Sequence, residues 1–367
     1  MTSTYRPDAW ASGEAAGGAT PALPAASTAL AAYLTGFWMP RKHHSWARGT
    51  QRYREWAVDT LLRSPLAHRP IGDLRVFEIE RWFAERAMTP FESTGKIPAP
   101  SSMRALLDTL KASLNDAVRY GILTTNPCIG VELPRSMEVR RAMWTAEQVQ
   151  LFLASTEDSR YSTLWRVLLA TGLRRGEALG LQWVDVDLDR RILEVRRAVL
   201  ADSRKDNSVY GPPKTRRSLR TISLDSGTVD ALRRWRRRRE TEHAAFVAAL
   251  ERQLVAFRTP GARLPELPQE LPAESPVFAA EDGQPMLPAT VSDTWRRQVR
   301  ASGLPPCRLH DTRHIHLTHL LRAGEPIQNV SARAGHGSPF TTLNTYAHVM
   351  SADDERTAAR AGGLFGD

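Results

Sequence analysis

The sequence predicts a mainly α protein with a small antiparallel β-sheet, arranged as two domains. Three observations carry that reading. Apolar residues recur at helical spacing through the first half, a short zone after residue 190 alternates with period two, and 367 residues suffice for two separate cores.

Residues 1–24 are rich in Ala, Gly, Pro, Ser and Thr, which bury too little apolar surface to order themselves, so a flexible tail is expected. A helical domain is expected over 25–135, starting near STALAAYLTGFW. In ARGTQRYREWAVDTLL, Tyr53, Trp56, Ala57 and Leu61 recur at helical spacing, and RVFEIERWFAERA repeats the signature with Val76, Ile79, Phe83 and Ala84. The clearest helix runs from Ser101 to Tyr120. There Met103, Leu106, Leu107, Leu110, Leu114, Ala117 and Val118 form one stripe, which Gly121 stops. This half reads as four or five helices without a strand. Pro134 and a charged, non-periodic run then make 136–143 a linker.

The second domain, 144–367, opens with a capping box in which Thr145 meets the amide of Gln148 and the Gln148 side chain reaches back. YSTLWRVLLATG is an apolar helix closed by Gly172, and a short helix follows in RRGEALGLQW. RILEVRRAVL sets Ile192, Glu194 and Arg196 against Leu193 and Val195, and LRTISL sets Leu219, Thr221 and Ser223 against Arg220, Ile222 and Leu224. Together they predict a small antiparallel sheet whose loop carries GPPKTRRS. RRWRRRRE, at 233–240, lies in a long helix running toward Phe257, and its arginines are equally consistent with a solvated face and with phosphate contacts. A Pro-rich loop over 260–276, an Asp-Gly hairpin signal in VFAAEDGQPM and a helix in TVSDTWRRQVRASG complete the pattern before HDTRHIHLTHLL.

The balance of 50 Lys and Arg against 40 Asp and Glu leaves a formal charge of +10, which favours polyanionic partners and makes nucleic acid the leading one. Cys128 and Cys307 lie far apart, so neither a zinc ribbon nor a disulfide framework is indicated. With no apolar run long enough to span a bilayer and no secretory signal pattern, a soluble cytoplasmic protein is expected.

Four histidines and an arginine crowd residues 310–321. A metal site would use His310 and His314 at i and i+4, but His316 turns away from that face and no carboxylate stands in register, so no metal is expected. His314, Leu317, Thr318 and Leu321 form one stripe, which makes His314 a buried or orienting residue. His316 and His319 are expected to be partly exposed. His310 and Arg313, one turn apart at a helix start, form a phosphate-sized pair of donors.

In chain order, LLATGLRRGEALGLQWVDVDLDRRILEV, PPKTRRSLRTISL, LHDTRHIHLTHLLRAG and VSARAGHGSPFTTLNTYAHV resemble the tyrosine recombinase family, in its phage-type or mobile-element integrase form. The resemblance is specific over about 143–350 and looser over 26–133. It implies a core-binding (SAM-like) helical domain and a mixed α+β tyrosine-recombinase catalytic domain. It places the catalytic set on Arg174, Lys214, His310, Arg313, His336 and Tyr346, with Glu177 and Asp311 orienting them or supporting the helix start. It further implies cleavage and rejoining of DNA through a 3′-phosphotyrosyl bond, with no cofactor and no metal.

Candidate DNA-binding residues are Arg48, Arg52, Arg54, Arg104, Lys111, Arg216, Arg217 and Arg220. Expected partners are double-stranded attachment or core sites, a homo-tetramer on DNA, and a directionality or host architectural protein. The same chemistry leaves a Xer-like resolvase, a type IB-like strand-passage enzyme and a catalytically silent DNA-binding regulator as alternatives. No strand-bearing module for arm-type sites is legible before residue 25. The residues after His348 read either as a helix docking on a neighbouring protomer or as a loose tail.

Overall fold

The computed structural model describes residues 23–91, 95–134, 143–199, 210–211, 219–256 and 267–350, together with 358, 361 and 362. The predicted tail up to residue 22, residue 135 with the linker positions 136–142, and positions 257–266, which take in the start of the Pro-rich loop, lie outside the described residues. Two compact units divide at Val139 and Arg140.

In the first unit a helical run begins as α1 (Leu30–Tyr33), passes through a π-helical turn (Leu34–Trp38) and ends as α2 (Met39–Lys42). Then come α3 (Arg48–Leu62), α4 (Val76–Met88) and α5 (Pro100–Arg119). Met103, Leu106, Leu107, Leu110, Leu114 and Ala117 of α5 are buried, against Leu30, Tyr33, Leu61 and Phe83 among others. Gly121 follows the helix with a φ of 73°, a left-handed turn that glycine adopts without strain. Tyr33 Oη donates to the Ser113 carbonyl at 2.7 Å and Tyr53 Oη to that of Ala105 at 2.8 Å, tying the earlier helices to α5.

The predicted stripe of α4 needs correction. Its buried face is Ile79, Trp82 and Phe83, while Val76 is 39% exposed and Ala84 is exposed. Val76 is the first helical residue, and Ala84, five positions after Ile79, is turned about 140° away from it.

The second unit opens with α6 (Ala146–Ser155), whose capping box forms as read, with Thr145 N–H donating to Gln148 Oε1 at 3.0 Å and Gln148 N–H to Thr145 Oγ1 at 3.3 Å. α7 (Ser162–Thr171) and α8 (Arg175–Leu179) follow. Next come strands β1 (Val186–Asp187), β2 (Ile192–Val195), β3 (Ala198–Val199), β4 (Tyr210–Gly211) and β5 (Arg220–Ser223). β2 lies between β1 and β5 in one antiparallel sheet, and β3 pairs with β4 in a second. Leu193 opposes Ile222, and both are buried with Val195, so the predicted antiparallel pairing forms and this set of the alternation faces the core.

The long helix α9 (Ser226–Ala256) precedes α10 (Pro288–Ala301), α11 (Asp311–Arg322), α12 (Ile327–Ala334) and α13 (Pro339–Met350). The Asp-Gly turn forms, closed by Ala280 N–H to the Gln284 carbonyl at 2.8 Å, but it carries one bridge, Ala279 to Pro285, and no longer ladder. In the arginine run of α9, Arg236 and Arg238 form ion pairs one turn ahead with Glu240 and Glu242, and Arg239 is buried, donating to Glu242 and the Ala280 carbonyl. Those contacts are local to the fold.

The core of this unit centres on Trp144, Phe152, Trp165 and Trp295, whose neighbouring rings approach to centroid separations between 4.6 and 5.8 Å. Cys128 and Cys307 are both buried free thiols. No helix among the described residues is long and apolar enough to cross a membrane.

Candidate active site

Three chain turns in the second unit bring the predicted residues together. α7 stops at Gly172, whose φ of 66° is left-handed. A Cβ there would stand 2.7 Å from His316 Cδ2, so glycine both ends α7 and lets α11 approach. Two residues on, Arg174 caps α8. Its backbone N–H donates to Glu177 Oε2 at 3.0 Å and its guanidinium to Glu177 Oε1 at 2.7 Å.

Glu177 is 3% exposed and also binds Arg220, whose Nη2 lies 2.8 Å from Oε2. Burial alone would raise this carboxyl, but the hydrogen bond and charge of Arg220, joined by Arg174, outweigh it and hold Glu177 below the usual carboxylate range. Arg220 Nε donates to the Arg333 carbonyl at 2.8 Å. Arg220, expected to contact DNA, is turned into the fold instead: its side chain is 7% exposed and all three of its nitrogens donate within the protein, to Glu177 and to the Arg333 carbonyl.

The second turn is the start of α11. Asp311 supports it, accepting from Arg308 Nη2 at 2.8 Å and from the Arg308 amide at 3.1 Å. His310 precedes the helix, and its pKa is held below the ordinary histidine value first by the surrounding protein and then by Arg313. Arg313 is 4% exposed and donates to the carbonyls of Gly172 at 2.8 Å and Ala334 at 2.5 Å. Burial and the charge of Arg174 push its guanidinium down to about 10, which leaves it protonated at neutral pH.

The other histidines of α11 divide sharply. His314 Nδ1 lies 2.6 Å from Tyr346 Oη. His316, expected to be partly exposed, is buried. Its Nδ1 faces the Leu169 carbonyl at 3.1 Å, and its Nε2 accepts from Arg333 Nε at 3.0 Å. Burial, then Arg333, depresses its pKa to about 3. His319 Nε2 lies 2.9 Å from the Trp144 carbonyl and is half-buried.

The third turn is Gly335, φ 64°, after α12. His336 follows with Nδ1 2.7 Å from Thr342 Oγ1, its pKa lowered to about 4 by burial and then by Arg313 and Arg174. Tyr346, on α13, is 2% exposed and packs with Leu317, Leu321, Val330 and Ala334. Burial pushes its phenol up to about 12 against the opposing pull of Arg313.

Arg313 is thus the shared neighbour of the set: it bonds the carbonyls at the turns of Gly172 and Gly335, and its charge bears on His310, His336 and Tyr346. Lys214, Arg216 and Arg217 lie outside the described residues, as does the side chain of Arg48. In the first unit Arg52, Arg104 and Lys111 are exposed. Arg54 is half-buried, its guanidinium 5.4 Å from the Trp38 ring centroid and 5.2 Å from that of Trp46, a stacked position. Among the described residues no three His, Cys, Asp or Glu side chains gather as a metal ion would require.

Sequence reasoning missed Arg333, which donates to His316 and to the carbonyls of Ala170 and Ser223, and Thr342, which holds His336. Nothing in their local sequence sets them apart from other arginines and threonines.

The sequence pattern of the phage integrase family matches residues 136–352, and the chain belongs to that family, the tyrosine recombinases, enzymes that break and rejoin DNA. Its relatives are of the integrase and Xer-like kinds. It is 25% identical over 344 residues to a tyrosine recombinase XerC-like protein of Caldanaerobacter subterraneus, covering 89% of this chain and 80% of that one. It is 26% identical over 290 residues to the ICEBs1 integrase of Bacillus subtilis, covering 77% and 67%. Among solved structures, the Tn1549 transposon integrase in complex with a circular intermediate DNA superposes with a TM-score of 0.69 at 21% identity, covering 90% of this chain and all of that one. A lambda integrase tetramer bound to a Holliday junction gives 0.55 at 18% identity, covering 86% and 79%. At these identities the structural matches establish the fold.

Proposed function

We propose that this protein is a site-specific DNA recombinase of the integrase type that cleaves and rejoins strands through a covalent bond between Tyr346 and a 3′ phosphate. The observation that supports the reading is geometric: Arg313 bonds the carbonyls of Gly172 and Ala334, at the turns that carry Arg174 and His336, one turn after His310, and the residue next to it, His314, holds the buried Tyr346 hydroxyl at 2.6 Å.

Attack at phosphorus builds negative charge on the non-bridging oxygens, and preorganised donors stabilise it. Guanidinium forks match those oxygens and keep their charge, which suits Arg174 and Arg313 to the task. His336, pushed down to about 4, is neutral at pH 7 and suited to supply a hydrogen bond without adding charge, and burial with Arg313 shifts His310 in the same direction. Lys214 is the expected acid that protonates the departing 5′ oxygen. The phosphotyrosyl bond retains the energy of the phosphodiester, so religation to another strand needs neither ATP nor a metal. Exposed Arg52, Arg104 and Lys111 suit the helical unit to backbone contacts with double-stranded core sites. The DNA-bound tetramer of the lambda relative supports a four-subunit assembly on two duplexes.

The experiment is adduct trapping on nicked duplex DNA. Wild-type protein is expected to give a protein–DNA adduct that survives denaturation and persists in EDTA, and Tyr346→Phe none, a loss on the order of 10⁴-fold or more. Adduct formation by Tyr346→Phe rejects the reading. Recombination between two separate sites, absent in a strand-passage enzyme, distinguishes the alternative.

A further inference from the structure

The reaction requires the Tyr346 phenol to give up its proton as Oη bonds to phosphorus, because at neutral pH the buried hydroxyl is fully protonated. Among the described residues its one hydrogen-bond partner is His314 Nδ1, at 2.6 Å, with the two rings 5.8 Å apart at 48°. The nearby imidazoles are placed otherwise. His336 Nδ1 is engaged by Thr342, and His310 meets His314 edge to face at 5.5 Å.

His314 is also well anchored. It directly follows Arg313, whose two carbonyl bonds pin this turn of α11 to the ends of α7 and α12, so the imidazole holds its position against α13. The charged and titratable groups around it include His310, Asp311 and Arg313 on its own segment, Tyr346 from α13, and His336 from the turn after α12.

We propose that His314 is a catalytic residue, the general base that takes the Tyr346 proton as the covalent bond forms. In the balanced step the Oη–P bond forms, the P–O5′ bond breaks, the phenol proton passes to His314 Nδ1, and the 5′ oxygen receives a proton from a separate acid, the place Lys214 is expected to fill. Religation reverses both transfers, His314 returning the proton to the phenol. This assignment rests on Tyr346 being the nucleophile, and the family resemblance had given His314 no chemical role.

The probe is a nicked duplex that the wild-type protein enriches, as covalent adducts, from a library with a randomised core. His314→Asn retains a hydrogen-bonding group near the Nδ1 position but cannot accept a proton. It is expected to bind the duplex as wild type does, to form adduct about 10²–10³-fold more slowly in single turnover, and to lose the acid limb of the wild-type pH–rate profile, where protonation of His314 shuts the reaction down. His314→Gln serves as the second variant should the Asn protein melt early. Sulfur in place of the scissile 5′ oxygen, a leaving group that needs no acid, is expected to rescue Lys214→Ala but neither His314 variant. A wild-type rate in both variants, an unchanged acid limb, or rescue by sulfur overturns the proposal. Adduct formation by Tyr346→Phe, measured alongside, overturns the nucleophile assignment instead and so separates the two failures.

Discussion

Helix α5 in the first unit and helix α11 in the second are held in place by different kinds of force. Along α5 the buried positions are mainly apolar, from Met103 to Ala117, and burial is non-directional. Along α11 the apolar contacts of Ile315, Leu317 and Leu321 are interleaved with buried Thr312, Arg313, His316 and Thr318. Three of its side chains meet carbonyls on other segments: Arg313 at Gly172 and Ala334, His316 at Leu169, and His319 at Trp144. An apolar stripe tolerates small rotations that a set of hydrogen bonds does not. The helix that must present His314 to a phenol within a few tenths of an ångström is the one fastened by directional bonds.

That contrast can be broken at its strongest point by Arg313→Met. It keeps volume but strips partners from two buried carbonyls and takes a cation from the cluster, so a loss of about 3–5 kcal/mol is expected. Calorimetry of the full chain reads this as a melting transition lowered by roughly 10 °C, and trapping reads it as absent adduct. An unchanged melt shows that the carbonyl contacts are dispensable.

Leu110→Ala should follow at about 3 kcal/mol, the ordinary cost of a cavity in a fully buried site. Hydrogen exchange is expected to accelerate through Pro100–Arg119 and to leave α11 as it was. Faster exchange in α11 would mean the two modes of anchoring are coupled.

The smallest effect is a pH dependence. His316 in the folded chain resists protonation down to about 3, while the unfolded chain takes up that proton below about 6.5. Stability from this group is complete above 6.5 and falls as pH drops, by roughly 2 kcal/mol at pH 5. Denaturant titrations between pH 7 and pH 5 are expected to show that slope, flattened in His316→Gln, since glutamine bonds without titrating. Equal slopes would place the acid sensitivity elsewhere.

How much of this was legible in the sequence follows from how local each cause is. The α5 stripe and the β2–β5 alternation are readable because burial repeats with the backbone period. The described catalytic candidates are reachable because each sits in a short motif, most of them at a chain turn, and Gly172 and Gly335 mark two of those turns, while Tyr346 lies within α13. Arg220 was misread because its carboxylate partner is 43 residues away, whereas its neighbours in TRRSLR are cations that suggest a polyanion. His316 was misread for a related reason. Turning away from His314 suggested exposure, but Leu169 and Arg333, both distant in sequence, lie on that side. On α4 the error was one of phase, since Val76 and Ala84 share hydrophobicity with the true stripe but not its angle.

Glu177 has one further consequence. Two guanidiniums from different segments compete for its two oxygens, with Arg174 and Arg220 both touching Oε1, at 2.7 and 3.3 Å. Losing Arg220 would hand the whole carboxylate to Arg174 and draw that arginine inward, away from any phosphate. Positions 174, 177 and 220 therefore behave as a single electrostatic balance whose members cannot be exchanged independently, and a defect at one is best repaired by a compensating change at another.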